Sequence, residues 1–162
     1  MLGSAALTAN KGAIMFTLYT EIEIAAPPEV VWTTLTDTEK LSEWNPFVHE
    51  MKGELSVGNS LNVTLGAPGK SRMSFQPQVL RAEENRELRW RGKLFVRGVF
   101  DGEHVFELQR TENGTHFAHY EHFSGALVWL LKGMLERDTR PGFEAMNTAL
   151  KQRAEARHLT SR

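Results

Sequence analysis

The chain contains no cysteine. That excludes disulfides, thiolate metal sites and a cysteine nucleophile, and it fits a reducing compartment, so a cytoplasmic location is expected. Charge of one sign is not in excess either: nineteen Lys and Arg stand against twenty Asp and Glu, a net charge of −1. With so even a balance there is no general electrostatic ground for a nucleic-acid or anionic-membrane partner, and none is expected. No apolar run approaches the roughly 20 residues needed to span a bilayer, so membrane insertion is not expected. Gly-rich phosphate loops, a nucleophile elbow and paired-carboxylate motifs are missing as well. The sequence therefore commits to no catalytic apparatus, and no cofactor or metal is expected.

The stretch "MLGSAALTANKGAIM" has no cationic n-region, and Thr8, Asn10, Lys11 and Gly12 break its apolar residues. A signal peptide is not expected there; residues 1–14 read as a flexible tail before one domain over 15–158. What the chain does have is 41% hydrophobic residues over 162 positions, enough for one core without disulfides.

"FTLYTEIEIA" (16–25) alternates apolar and polar residues as a strand does. "PPEVVWTTLTD" follows, with prolines and Glu29 where a helix begins, and Asn45-Pro46 ends a second short helical stretch. From about 47 to 124 the apolar period is 2: "LNVTL", "RMSFQPQVL", "ELRWRGKLF", "FDGEHVFEL" and "THFAHYEHF" read as antiparallel strands, the last two joined by a turn at "ENG" (112–114). Pro77 fits an edge, a bulge or an opening, and Arg97-Gly98 or Asp101-Gly102 turns the chain before the penultimate strand. After Gly125 the period returns to 3.6, with Leu127, Leu130, Leu131, Met134, Leu135, Phe143, Met146 and Leu150, and Pro141 is expected to kink or split this helix near 137–140. The order predicts an α+β domain in which a curved sheet wraps one long helix, and any gap between them is a ligand cavity.

"IEIAAPPEVVWTTLTDTEKLSEWNPFV", "GELSVGNSLNVTL", "LRWRGKL", "FDGEHVFEL", "GTHFAHYEHFSG" and "GFEAMNTALKQRAE" resemble the START-related, birch-pollen-allergen-like (SRPBCC) superfamily, within it the polyketide cyclase/dehydrase type, over residues 16 to 157. The resemblance implies the helix-grip fold: a seven-stranded curved antiparallel sheet around a long C-terminal helix, two short helices after strand 1, and an internal cavity. It implies a hydrophobic small-molecule ligand, aromatic, polyketide-like or acyl/lipid-like, and leaves a homodimer open.

"HFAHYEHF" (116–123) carries a histidine at every third position. Side chains of a strand alternate faces, so His116 and His122 share one face about 20 Å apart, too far for one metal, and read as surface residues. His119 shares the other face with Phe117, Glu121 and Phe123. Across the hairpin, registers that turn both apolar faces inward set His104 beside Glu121, and Phe106 beside His119 or Glu121. His104, His119 and Glu121 are thus predicted to form one polar patch in an apolar interior. It is a buried charge-assisted pair, an anchor for a ligand's polar group, or an acid–base site of a cyclase, aromatase or dehydratase. Phe75, Trp90, Phe106, Phe117, Met134, Phe143 and Met146 are the expected apolar ligand-lining residues. Trp44 and Phe47 read as core plugs with Asn45 a cap, or together as the cavity rim, and Arg89, Arg91, Lys93 and Arg97 as a solvated face. A third class, an interaction module, would show as an exposed apolar patch outside the cavity.

Overall fold

The computed structural model describes residues 16–94 and 98–161. The tail 1–14 and Arg97 lie outside the described residues. Strand β1 (Phe16–Ile24) leads into α1 (Pro28–Thr36) and α2 (Leu41–Trp44). Pro28 takes the first helical position, where its missing N–H is not needed, and Glu29 follows in the first turn. Asn45 ends α2 and caps the next turn, its Oδ1 accepting from the backbone N–H of Phe47 and Val48.

Among the described residues eight strands form two antiparallel sheets. β2 (Val48–Lys52), β3 (Asn62–Leu65) and β4 (Met73–Phe75) make one, and β5 (Gln78–Glu83), β6 (Glu87–Leu94), β7 (Phe100–Thr111) and β8 (Gly114–Ser124) complete the other with β1, in the order β1-β8-β7-β6-β5. The seven-stranded single sheet expected from sequence is corrected to this division of three and five. Its cause is Pro77: without an N–H it cannot extend a ladder, so "RMSFQPQVL" becomes two strands. The sheets stay linked there, through the Ser60–Gln78 bridge and a bond from Leu61 N–H to the Pro77 carbonyl of 2.8 Å.

The β6–β7 turn precedes Phe100, with Gly98 at φ +88°, and Asp101-Gly102 lies inside β7. In the β7–β8 hairpin Thr111 pairs with Gly114, which sets His104 opposite Glu121 and Phe106 opposite His119. Helix α3 (Val128–Thr160) crosses the inner face of the large sheet. Of the expected kink or split at Pro141 the split does not occur: one helix runs through it, with Pro141 and Arg137 both exposed, so the carbonyl that proline leaves unpaired is at the solvent-facing side. Phe143, Met146, Leu150 and Ala154 on its C-terminal half are fully buried and fill that end of the interior. Gly142 lets α3 approach the ring of Phe47: a Cβ there would sit 2.6 Å from that ring and 2.9 Å from Ala67. Among the described residues no helix is long and apolar enough to cross a membrane.

Candidate functional site: a cavity with one inward carboxylate

The N-terminal half of α3 does not fill the space beneath it. A cavity of about 390 Å³ opens between Leu131, Met134 and Leu135 of the helix, the small sheet, and strands β6 to β8. A pair of glycines hollows the sheet at this level: Gly92 and Gly102 are register partners on β6 and β7, both on the cavity wall, and neither projects a side chain. Aromatic rings make up much of the remaining wall, from Phe47, Phe75, Trp90, Phe100 and Phe123. Such a concave, largely apolar space with few polar groups is the usual form of a small-molecule site.

Two carboxylates line the cavity: Asp138 on α3, paired with Lys70 and Arg137, and Glu121 on β8, whose side chain is only 18% exposed. Its carboxylate lies over Gly102, where any Cβ would overlap its Oε1. The cations on the lining, Lys70 and Lys93, are both exposed, and Lys70 is paired with Asp138 at 3.3 Å.

Behind Glu121 runs a buried polar chain. Thr20 donates its hydroxyl to the His119 carbonyl (2.8 Å), so its oxygen must accept from Asn147 Nδ2 (2.9 Å). That fixes the amide with Oδ1 toward His119 Nδ1 (2.8 Å), which therefore carries a proton. Burial holds His119 well below the usual imidazole range, reinforced by the charge of His104 and opposed by bonds to Asn147 and the backbone of Phe143. A neutral His119 protonated at Nδ1 can only accept at Nε2, so His104 Nε2–H donates across the 2.8 Å between them. The far nitrogen, His104 Nδ1, has no hydrogen-bond partner among the described residues and faces Glu121 Oε2 at 3.4 Å. That contact is attractive only when the pair holds one proton between them.

The structure brings His104, His119 and Glu121 together, and separates them by role. Glu121 faces the cavity with Phe75, Trp90 and Met134. His104 and His119 are 1% and 0% exposed and lie off the cavity wall, as do Phe106, Phe117, Phe143 and Met146, all packed in the core. These six, expected on the cavity wall, are not part of this cavity's lining. The inward face of a strand supplies both cavity wall and core filler, and α3 covers the part of β7 and β8 they occupy. His119 stacks on Phe143 at 3.9 Å between centroids, and His104 on Trp90 at 5.1 Å. His116 and His122 lie on the outer face, paired with Glu23 (2.6 Å) and Thr17 (2.8 Å). Among the described residues no group of three acidic or histidine side chains is placed to hold a metal.

Asn147 and Thr20 escape sequence reasoning, though each leaves a trace. Asn147 is the polar residue on the stripe of Phe143, Met146 and Leu150, and Thr20 shares the inward face of β1 with Leu18 and Ile24. Beside the cavity, the first turns of α3 expose Trp129 (72%) and Leu130 (63%), an apolar patch on the helix and not on the strands. On the outer face Arg89 and Arg91 both bond Glu103, at 2.8 and 2.7 Å, so carboxylates match these cations.

No curated protein matches this sequence. Solved structures match in fold: protein MLL2253 of Mesorhizobium loti (22% identity over 85% of this chain and 98% of that one, TM-score 0.63) and TTHA0849 of Thermus thermophilus (19%, 88% and 99%, 0.68). The di-domain ARO/CYC StfQ of the steffimycin biosynthetic pathway matches over 87% of this chain and 51% of its own, at 14% identity and a TM-score of 0.69. The family model described as polyketide cyclase / dehydrase and lipid transport matches residues 15–155. With that match over most of its length, and a long helix gripped by antiparallel sheet around a cavity, the chain belongs to the polyketide cyclase / dehydrase and lipid transport family.

Proposed function

We propose that this chain binds a hydrophobic small molecule, aromatic, polyketide-like or acyl-like, in the cavity under the N-terminal half of α3. The observation that carries the reading is an aromatic-walled space of about 390 Å³ kept open by the Gly92–Gly102 pair, with the Glu121 carboxylate on its sheet wall. Closing that space should abolish binding. Gly92 takes an ordinary side chain without clash, its added Cβ meeting only Pro77 at 3.9 Å, so Gly92→Phe projects a ring into the cavity. The neutral fluorophore N-phenyl-1-naphthylamine should bind the wild type with enhanced, blue-shifted emission and fail to bind Gly92→Phe. Equal enhancement in both proteins would defeat the reading.

A cyclase, aromatase or dehydratase activity is the second reading, and Glu121, an ionisable group on the cavity's sheet wall, favours it. In this geometry the proton would pass through Glu121, because the histidines do not reach the cavity. His104 then acts as a positioning residue. Turnover that survives Glu121→Gln would remove this mechanism.

A further inference from the structure

We infer that the ligand is an apolar body ending in a hydrogen-bond donor, a hydroxyl or an ammonium group, and that Glu121 selects this end against carboxylates. The inference rests on the cavity being the ligand site. Its ground is the direction of each bond in the buried chain. Thr20 and Asn147 fix the tautomer of His119, His119 fixes the Nε2–H of His104, and His104 Nδ1 at the end of the chain faces Glu121 Oε2 at 3.4 Å. Glu121 Oε1 lies over Gly102 on the cavity wall, turned away from the Oε2 that faces His104. It is a hydrogen-bond acceptor open to the cavity, beside largely apolar walls, where a ligand's donor can meet it.

A donor X–H from the ligand satisfies that oxygen. A ligand carboxylate would instead bring a second anionic oxygen against it, a repulsion that apolar surroundings amplify. The lining cations do not offset this, since Lys70 is engaged by Asp138 and Lys93 is exposed. The aromatic walls, Trp90 and Phe123 among them, suit the body of the ligand and the face of an ammonium end alike.

Three ligands on one ring system test the inference: 2-naphthol, 2-naphthylmethylamine and 2-naphthoate, titrated at pH 7.5 by calorimetry, with naphthalene as the reference for the apolar body. The naphthol, the amine or both should bind the wild type about tenfold or more tighter than the naphthoate, and whichever binds tighter names the end group. In Glu121→Gln that preference, each affinity taken relative to naphthalene in the same protein, should fall to within about threefold. Gly102→Ala, which keeps the carboxylate but pushes it aside, should erode the preference as well and serves if Glu121→Gln does not fold. Naphthoate binding as tightly as naphthol and amine, or a preference that persists in both variants, would overturn the inference. Failure of all four compounds to bind would overturn the cavity reading itself, which is a different result.

Discussion

Replacing Asn147 with leucine probes the buried chain at its hinge. The side chains share one branched four-heavy-atom shape, so the substitution removes polarity and leaves no cavity. It strips His119 Nδ1–H of its acceptor and Thr20 Oγ1 of its donor, both groups being almost fully buried. An orphaned buried donor costs about 1–3 kcal/mol, and the emptied hydroxyl lone pair adds a smaller amount. The new apolar contacts of leucine return roughly 1 kcal/mol. A net loss of about 2 kcal/mol follows, read as a lower urea midpoint at pH 7.5 with unchanged slope. Thr20→Val opens the same chain one bond further along, so the double variant should lose about 1 kcal/mol less than the two single losses combined. Imidazole nitrogen resonances supply a second readout: His119 should show the Nδ1–H tautomer in the wild type and lose it in Asn147→Leu. A loss under about 0.5 kcal/mol, or strict additivity with Thr20→Val, would refute the hydrogen-bond directions assigned to the chain.

His119 makes stability depend on pH in a set direction. Its folded imidazole is held well below the ordinary value by burial, so above pH 6.5 both states are neutral and it contributes nothing; below, the unfolded chain takes up a proton that the fold refuses. Stability should fall by about 1 kcal/mol from this residue alone between pH 6.5 and 5.5, and His119→Gln should flatten that slope; an unchanged slope would refute the assignment. At Gly142, alanine must displace the Phe47 ring or Ala67, and a loss of about 1–3 kcal/mol in thermal or urea unfolding is expected, whereas a stabilised Gly142→Ala would contradict the close approach.

The hairpin was legible in the sequence because two local signals agree. A turn at Asn113-Gly114 and inward apolar faces on both strands leave few registers, and the observed one pairs His104 with Glu121. The boundary between cavity and core was not legible. Phe117 and Phe123 look alike in the alternation of β8, yet Phe123 lines the cavity and Phe117 does not, since the position of α3 over the sheet decides it. The same holds for Glu121 and His119, two residues apart on one face. Asn147 was hidden for another reason: one amide in an apolar stripe gives no partner, and its meaning comes from Thr20 and His119, 127 and 28 residues away. Pro77 signalled an interruption, but whether it ends a strand or bulges one depends on the Ser60–Gln78 bridge that joins the sheets there.

The most direct test of the central claim is a site-resolved titration: amide nitrogen–proton spectra of the full chain as 2-naphthol is added. Ligand in the cavity should shift Gly92, Gly102, Glu121 and the indole N–H of Trp90 most strongly, with saturation at one equivalent. Shifts confined to Trp129, Leu130 and their neighbours at the start of α3 would place the ligand on the exposed patch and contradict the cavity as the binding site.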